Sequence, residues 1–266
     1  MNVLVSDELW SRVEPLLPPL EARRFRFPGR KPLDRRRILT GILFVLKTGM
    51  AWDDLPTELG WGCGKTCREY LRHWHTIGVW QQLHALLLTE LNAADLIDWS
   101  RAIIDGTFAK APEGGEDTGP NPTDRSKSGS KHHVLTDANG IPLAVILTAA
   151  NVPDVVPVLE VLSAIPPVGG KPGPPREKPD RLQGDRGYDS EPLRKLLRWL
   201  GIVPELAARN TEHGSGMGKT RWVVERTNAF LHNFGRLRRR LDRLPELQRA
   251  FLALACSLIC MRFLEQ

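Results

Sequence analysis

Three carboxylates in this chain stand where side chains could do chemistry. Asp105 follows the apolar run Ala102, Ile103, Ile104 and precedes Gly106, and Asp185 follows RLQG and precedes Arg186-Gly187. Each reads as an acid at the end of a short strand, where loops on a sheet present reactive groups. Glu225 is the single acid in RWVVERTNAFLHNFGRLRRR, residues 221–240, which carries six arginines. At 100° per residue, Arg221, Asn228, His232 and Arg236 fall within about 60° of Glu225, and Val223, Thr227, Phe230 and Phe234 take the opposite face. Singly, each acid has a bland role. Asp105 and Asp185 suit turns or caps, and Glu225 suits a helix ion pair with Arg221 or Arg226, worth about 0.3 kcal/mol. Together, three oxygen donors beside a phosphate-attracting surface suit a divalent ion, because magnesium accepts two or three carboxylates and fills its shell with water and phosphate oxygens. Two such ions promote in-line displacement at phosphorus.

The charge distribution supports an anionic partner. Nine of the 37 Lys/Arg and three of the 31 Asp/Glu lie between Arg209 and Arg243, so this segment carries the whole net charge of +6 and the remainder is balanced. A basic patch on a neutral body points to a polyanion, nucleic acid first, with a solvated charge run as the alternative. Lys127, Lys131, His132 and His133 follow a Gly/Pro/Ser-rich stretch and could steer that partner toward Asp105. GSGMGKT lacks the G-x4-G-K-[ST] spacing, which excludes a phosphate loop. Cys63, Cys67, Cys256 and Cys260 form two C-x3-C pairs without zinc-site partners at the usual spacing, so they read as free core thiols. No run of about 18 apolar residues and no signal-like N-terminus is visible, so the expectation is a cytoplasmic protein without a membrane span.

The elements that must position the acids follow from periodicity and punctuation. Residues 1–95 read as helical. Ser6 caps a first helix that ends at Pro18-Pro19, and Asp34 caps a second that ends at Gly49. Two more patterns cover residues 65–75 and 80–91, which gives a helix-turn-helix-like module or, equally, a plain helical bundle. From residue 96 the pattern changes. A strand stops at Asp105, and residues 111–130 form a loop too rich in Gly, Pro and Ser to pack. A hairpin turns at Asn139-Gly140, with Asp137 as a turn residue, and Asp154 caps a helix at 155–162. A strand ends at Asp185, Ser190 caps a helix over 191–200, a short strand follows, and helices over 221–234 and 244–264 finish the chain. Asp189 reads as a capping residue near Asp185. This order describes an α/β fold, a mixed sheet flanked by helices that matches a ribonuclease H-like core over residues 96–266.

The stretches ELWSRVEPLLPP, ILTGILFVLKTGMAWDDLP, AIIDGTFAKAP, GSKHHVLTDANGIPLAVILTAANVPD, GDRGYDS and RWVVERTNAFLH, in that order over nearly the whole chain, resemble bacterial insertion-sequence transposases of the DDE class, of the insertion sequence 5 and insertion sequence 4 type. That resemblance implies that Asp105, Asp185 and Glu225 are the catalytic, metal-binding triad, spaced 80 and 40 residues apart and served by two Mg2+ or Mn2+ ions. It implies a substrate of double-stranded DNA, both the terminal inverted repeats of the element and the target, with the 1–95 module helping to recognise the ends. The 3′ ends would be joined to target DNA by a homodimer on DNA, nucleoid-associated when bound. Arg221, Arg226, His232, Arg236, Arg238, Arg239 and Arg240, with Lys127 and Lys131, would hold phosphates. The family's glutamate is preceded by an arginine at four residues and a tyrosine at seven, and followed by a lysine at seven. Arg221 matches, whereas Gly218 and His232 replace the other two. A structure-specific nuclease on the same fold and a catalytically inactive DNA-binding regulator are the competing functions.

Overall fold

A computed structural model describes residues 4–20, 26, 31–209 and 218–265, with side chains from residue 222 onward in the last stretch. The first helices form where local signals place them. The Ser6 hydroxyl accepts from the Leu9 N–H at the start of α1 (Asp7–Val13), and Asp34 accepts from the Arg37 N–H at the start of α2 (Arg35–Thr48). Gly49 closes α2 at φ +80°, a conformation that a Cβ would strain. Helices α3 (Gly64–Thr76) and α4 (Val79–Ala93) follow, and α3 buries Cys67, Leu71 and Trp74 on one face.

The strands are β1 (Ala102–Lys110), the two-residue β2 (Gly119–Pro120), β3 (Ser128–Asp137), β4 (Pro142–Ala149), β5 (Arg181–Gly184) and β6 (Val203–Leu206). Together they form one mixed sheet. β3 pairs antiparallel with β1, β2 and β4, whereas β1–β5 and β5–β6 are parallel. Helices α5 (Val158–Ser163) and α6 (Glu191–Trp199) connect strands, and Ser190 accepts from the Leu193 N–H to start α6. The hairpin between β3 and β4 turns where its Asn-Gly pair predicts, with Gly140 at φ +92°.

Three sequence expectations need correction. β1 does not stop at Asp105, because β3 supplies a ladder that runs on to Lys110↔Gly129. The glycine at 106 marks a close approach rather than a turn, since a Cβ there would lie 2.9 Å from Asp154 Oδ1. The 111–130 stretch packs after all. Asn121 is buried, β2 pairs with β3, and Arg249 donates to Asp117 Oδ2 at 2.6 Å. Finally, the helix expected over 221–234 is α7 (Gly218–His232), which breaks before the short α8 (Gly235–Arg238).

The last helix, α9 (Pro245–Leu264), is long and apolar enough by composition to cross a membrane, with mean hydropathy 1.6, although no such run was expected. It is a core helix, 67% buried. Its apolar surface packs on α3, α4 and β4, and the Trp52 and Phe251 rings stack at 5.6 Å. One continuous core therefore runs from Val5 through the sheet to Met261. All four cysteines are free, but Cys63 is exposed rather than in the core.

Candidate active site

Ala102 pairs with Leu182 and Ile103 with Gln183 in a parallel ladder; continued by two residues, the same offset would set Asp185, the residue after β5, level with Asp105 at about 4.8 Å, the spacing of a regular sheet. Asp185 leaves β5 as the cap of a single 3-10 turn, its Oδ1 accepting from the Gly187 N–H at 2.8 Å. A Cβ on Gly187 would lie 3.0 Å from that oxygen and 3.2 Å from Asp154 Oδ2, so a side chain at residue 187 would press on both carboxylates.

The α7 helix covers the face of β1 that carries Asp105 and Thr107, two residues apart and on one side of the strand. Asn228 Nδ2 donates to Asp105 Oδ2 at 2.9 Å, and Thr107 Oγ1 and His232 Nε2 lie 3.2 Å apart. Residues 225, 228 and 232 share one stripe of the helix. Glu225 is exposed and lies one turn before Asn228 on that stripe, at the margin of the buried face formed by Val223, Val224, Thr227, Asn228 and Leu231. Among the described residues, no three acids, histidines or cysteines stand close enough to enclose an ion.

The sequence comparisons meet this geometry. Residues 100–260 match the family described as "Transposase DDE domain", and residues 5–84 match the one described as "Putative transposase of IS4/5 family". This chain belongs to the DDE transposase family. It is 57% identical over 166 residues to a Burkholderia cepacia protein described as "Putative transposase for insertion sequence element IS402", covering 62% of this chain and 77% of the relative. A second relative from the same organism, "Insertion element IS402 uncharacterized 16.2 kDa protein", is 53% identical over 119 residues, 45% of this chain and 81% of its own length. A structure of the Mos1 transposase paired-end complex with left transposon end aligns at TM-score 0.27 and 10% identity over 96% of this chain and 86% of that one, too distant a likeness to carry an argument.

In this DDE transposase the basic residues divide into inward and outward sets. Arg236 is 2% exposed, ion-paired with Asp242 at 3.0 Å and stacked over the Trp52 ring, whose Nε1 donates to the same carboxylate. Arg240 is 1% exposed and donates to the carbonyls of Asp242 and Arg243 and to Ser130 Oγ. Lys131 is 5% exposed and paired with Asp154 at 2.9 Å. These three were expected to hold DNA, and their burial turns them to structure instead. The break between α7 and α8 takes Arg236 off the Glu225 stripe and into the core. Arg226 is half-buried and donates to the Asn139 carbonyl, tying α7 to the hairpin. Arg238, Arg239 and Lys127 are exposed and face solvent. The side chain of Arg221 lies outside the described residues.

Burial, then the nearby Arg238, lowers the His232 pKa, and its ring docks on Thr107. Burial pushes His132 down to about 3 and His133 to about 4, which removes both from any steering of an anion. Asp189 accepts from Arg194 and from the Arg209 N–H, at 2.7 Å each, and so anchors the chain after Asp185. The sequence places Asn228 on the Glu225 stripe without a role for it, and does not single out Thr107. The signal was their spacing, since Asn228 is one helical turn from Glu225 and Thr107 is on the same strand face as Asp105.

Proposed function

We propose that this transposase cleaves the ends of its own insertion element and joins the freed 3′ ends to target DNA. The observation that supports this reading is the docking of α7, through Asn228 and His232, onto the strand that holds Asp105, with Asp185 directly after the parallel strand β5. The strand order β4-β3-β1-β5-β6, antiparallel on one side of β1 and parallel on the other, supports a ribonuclease H-like core.

The donor set fits a hard divalent cation. Asp105, Asp185 and Glu225 offer only carboxylate oxygens, and Asn228 Oδ1, beside Asp105, is buried with no hydrogen-bond partner. When bound, two magnesium or manganese ions supply the charge that activates an attacking oxygen and stabilises a leaving one. The chain's own residues set the geometry. Asp105 is held by Asn228 and Asp185 by its turn amide, while Arg238 and Arg239 bind DNA phosphates through salt-sensitive contacts. Water hydrolyses the terminal phosphodiester, and the 3′ hydroxyl then displaces a target phosphate ester without a protein-linked intermediate. The helices before residue 96 assist recognition of the ends, and two copies pair the ends on DNA.

The test uses labelled element-end DNA, a target plasmid and magnesium. Asp105→Asn, Asp185→Asn and Glu225→Gln are each expected to abolish both cut and joined products while DNA retention in a gel-shift assay persists. Cutting without joined products by the intact protein would assign a nuclease instead, and retained cleavage by Glu225→Gln would remove that residue from the site.

A further inference from the structure

Asn228 is the polar group on the helix stripe whose hydrogen-bonding capacity is only half used. It is 7% exposed, its Nδ2 donates to Asp105 Oδ2 at 2.9 Å, and its Oδ1 is buried without a partner. An amide flip does not remove the deficit, because it would set Oδ1 against the carboxylate and strand both amide hydrogens. A buried amide oxygen left unmade is a penalty that folding alone does not explain, and native proteins retain few such groups.

We infer that Asn228 is a positioning residue of the acidic site. Its Nδ2 fixes the orientation of Asp105, and its Oδ1 is an oxygen partner reserved for the hydrated divalent cation that Asp105 holds. A cation of this class takes neutral carbonyl and amide oxygens as readily as carboxylates, directly or through water. The i, i+3 spacing from Glu225 puts carboxylate and amide within one turn of the same helix, and the docking of Asn228 on Asp105 fixes where that turn lies against β1. Groups that orient a metal-bound carboxylate govern affinity nearly as strongly as the carboxylate itself. The inference rests on the acidic-site reading above.

Thermal melting of the full-length protein without DNA, titrated with Mn2+, tests it, because binding to the folded state alone raises the melting temperature. Asp105→Asn is expected to abolish the Mn2+-dependent rise. If that variant keeps it, the acidic-site reading fails and the inference falls with it. With Asp105→Asn behaving as expected, Asn228→Ala should move the Mn2+ midpoint to concentrations about 10- to 100-fold higher. Asn228→Asp keeps an oxygen and adds a charge beside Asp105, so it should melt below the unsubstituted protein in chelator and recover in saturating Mn2+. An unchanged midpoint in Asn228→Ala, or an Asn228→Asp deficit of equal size with and without Mn2+, would reduce Asn228 to a staple between α7 and β1. If Asn228→Ala does not fold, Asn228→Asp alone decides.

Discussion

Asp137 shows how much one side chain can do under a hairpin. It accepts from the N–H groups of Asp98, Asn139 and Ile141, and burial, only partly offset by those bonds, lifts its carboxyl from the ordinary 3.8 to about 6. Between these values the folded protein keeps a proton that the unfolded chain releases. Its contribution is therefore fully present below pH 3.8 and is lost as pH rises through 6. Asp137→Asn is expected to flatten the dependence of urea-unfolding stability on pH across that window. Arg236 is the second case. Removing it leaves buried Asp242 with only the more distant Arg68, at 3.9 Å, as an ion-pair partner, so Arg236→Ala should destabilise by about 3 kcal/mol in urea unfolding. Arg238→Ala and Arg239→Ala, both at exposed positions, should stay within about 0.5 kcal/mol of the parent. They should instead lower DNA affinity and reduce the salt slope by about one unit each. Nothing in the residue types separates these arginines. They differ because the chain breaks after His232, which depends on packing that the linear pattern does not encode.

At the scale of elements, that break is built on two glycines in contact. A Cβ on Gly235 would lie 2.7 Å from the Thr48 carbonyl oxygen and 2.8 Å from Gly49 N, and neither backbone atom can yield. Gly235→Ala should push α8 off the end of α2, pull Arg236 from Asp242 and destabilise by about 1–3 kcal/mol in urea unfolding. Elements set by local chemistry were legible beforehand. Ser6, Asp34 and Ser190 cap the helices assigned to them, and Asn139-Gly140 turns the hairpin. The extent of β1 was not legible, because a strand's length depends on its partner. Ala102–Ile104 look like a complete apolar strand, while residues 105–110, in which Phe108 is the one large apolar side chain, break that run and are held by the ladder to β3. The packing of 111–130 escaped notice for a similar reason, since its anchors, Arg240 and Arg249, lie more than a hundred residues away.

Across the whole molecule, the helices before residue 96 and the sheet share one core, with α9 between them. A fragment beginning at residue 96 would expose the α9 surface that packs on α3 and α4. It should lose cooperative unfolding and bind a hydrophobic dye, as calorimetry and dye fluorescence would show. The sequence by itself determined the helix caps, the hairpin, the membership of a transposase family through its ordered motifs, and the three candidate acids. These features depend on a few neighbouring residues or on chemistry that tolerates little substitution. Tertiary structure decided which arginines face solvent, that β1 runs past Asp105, and that Asn228 and His232 dock α7 on that strand. Each of those outcomes depends on which distant surface covers a residue, and burial of a charge or an amide is settled only when that surface arrives.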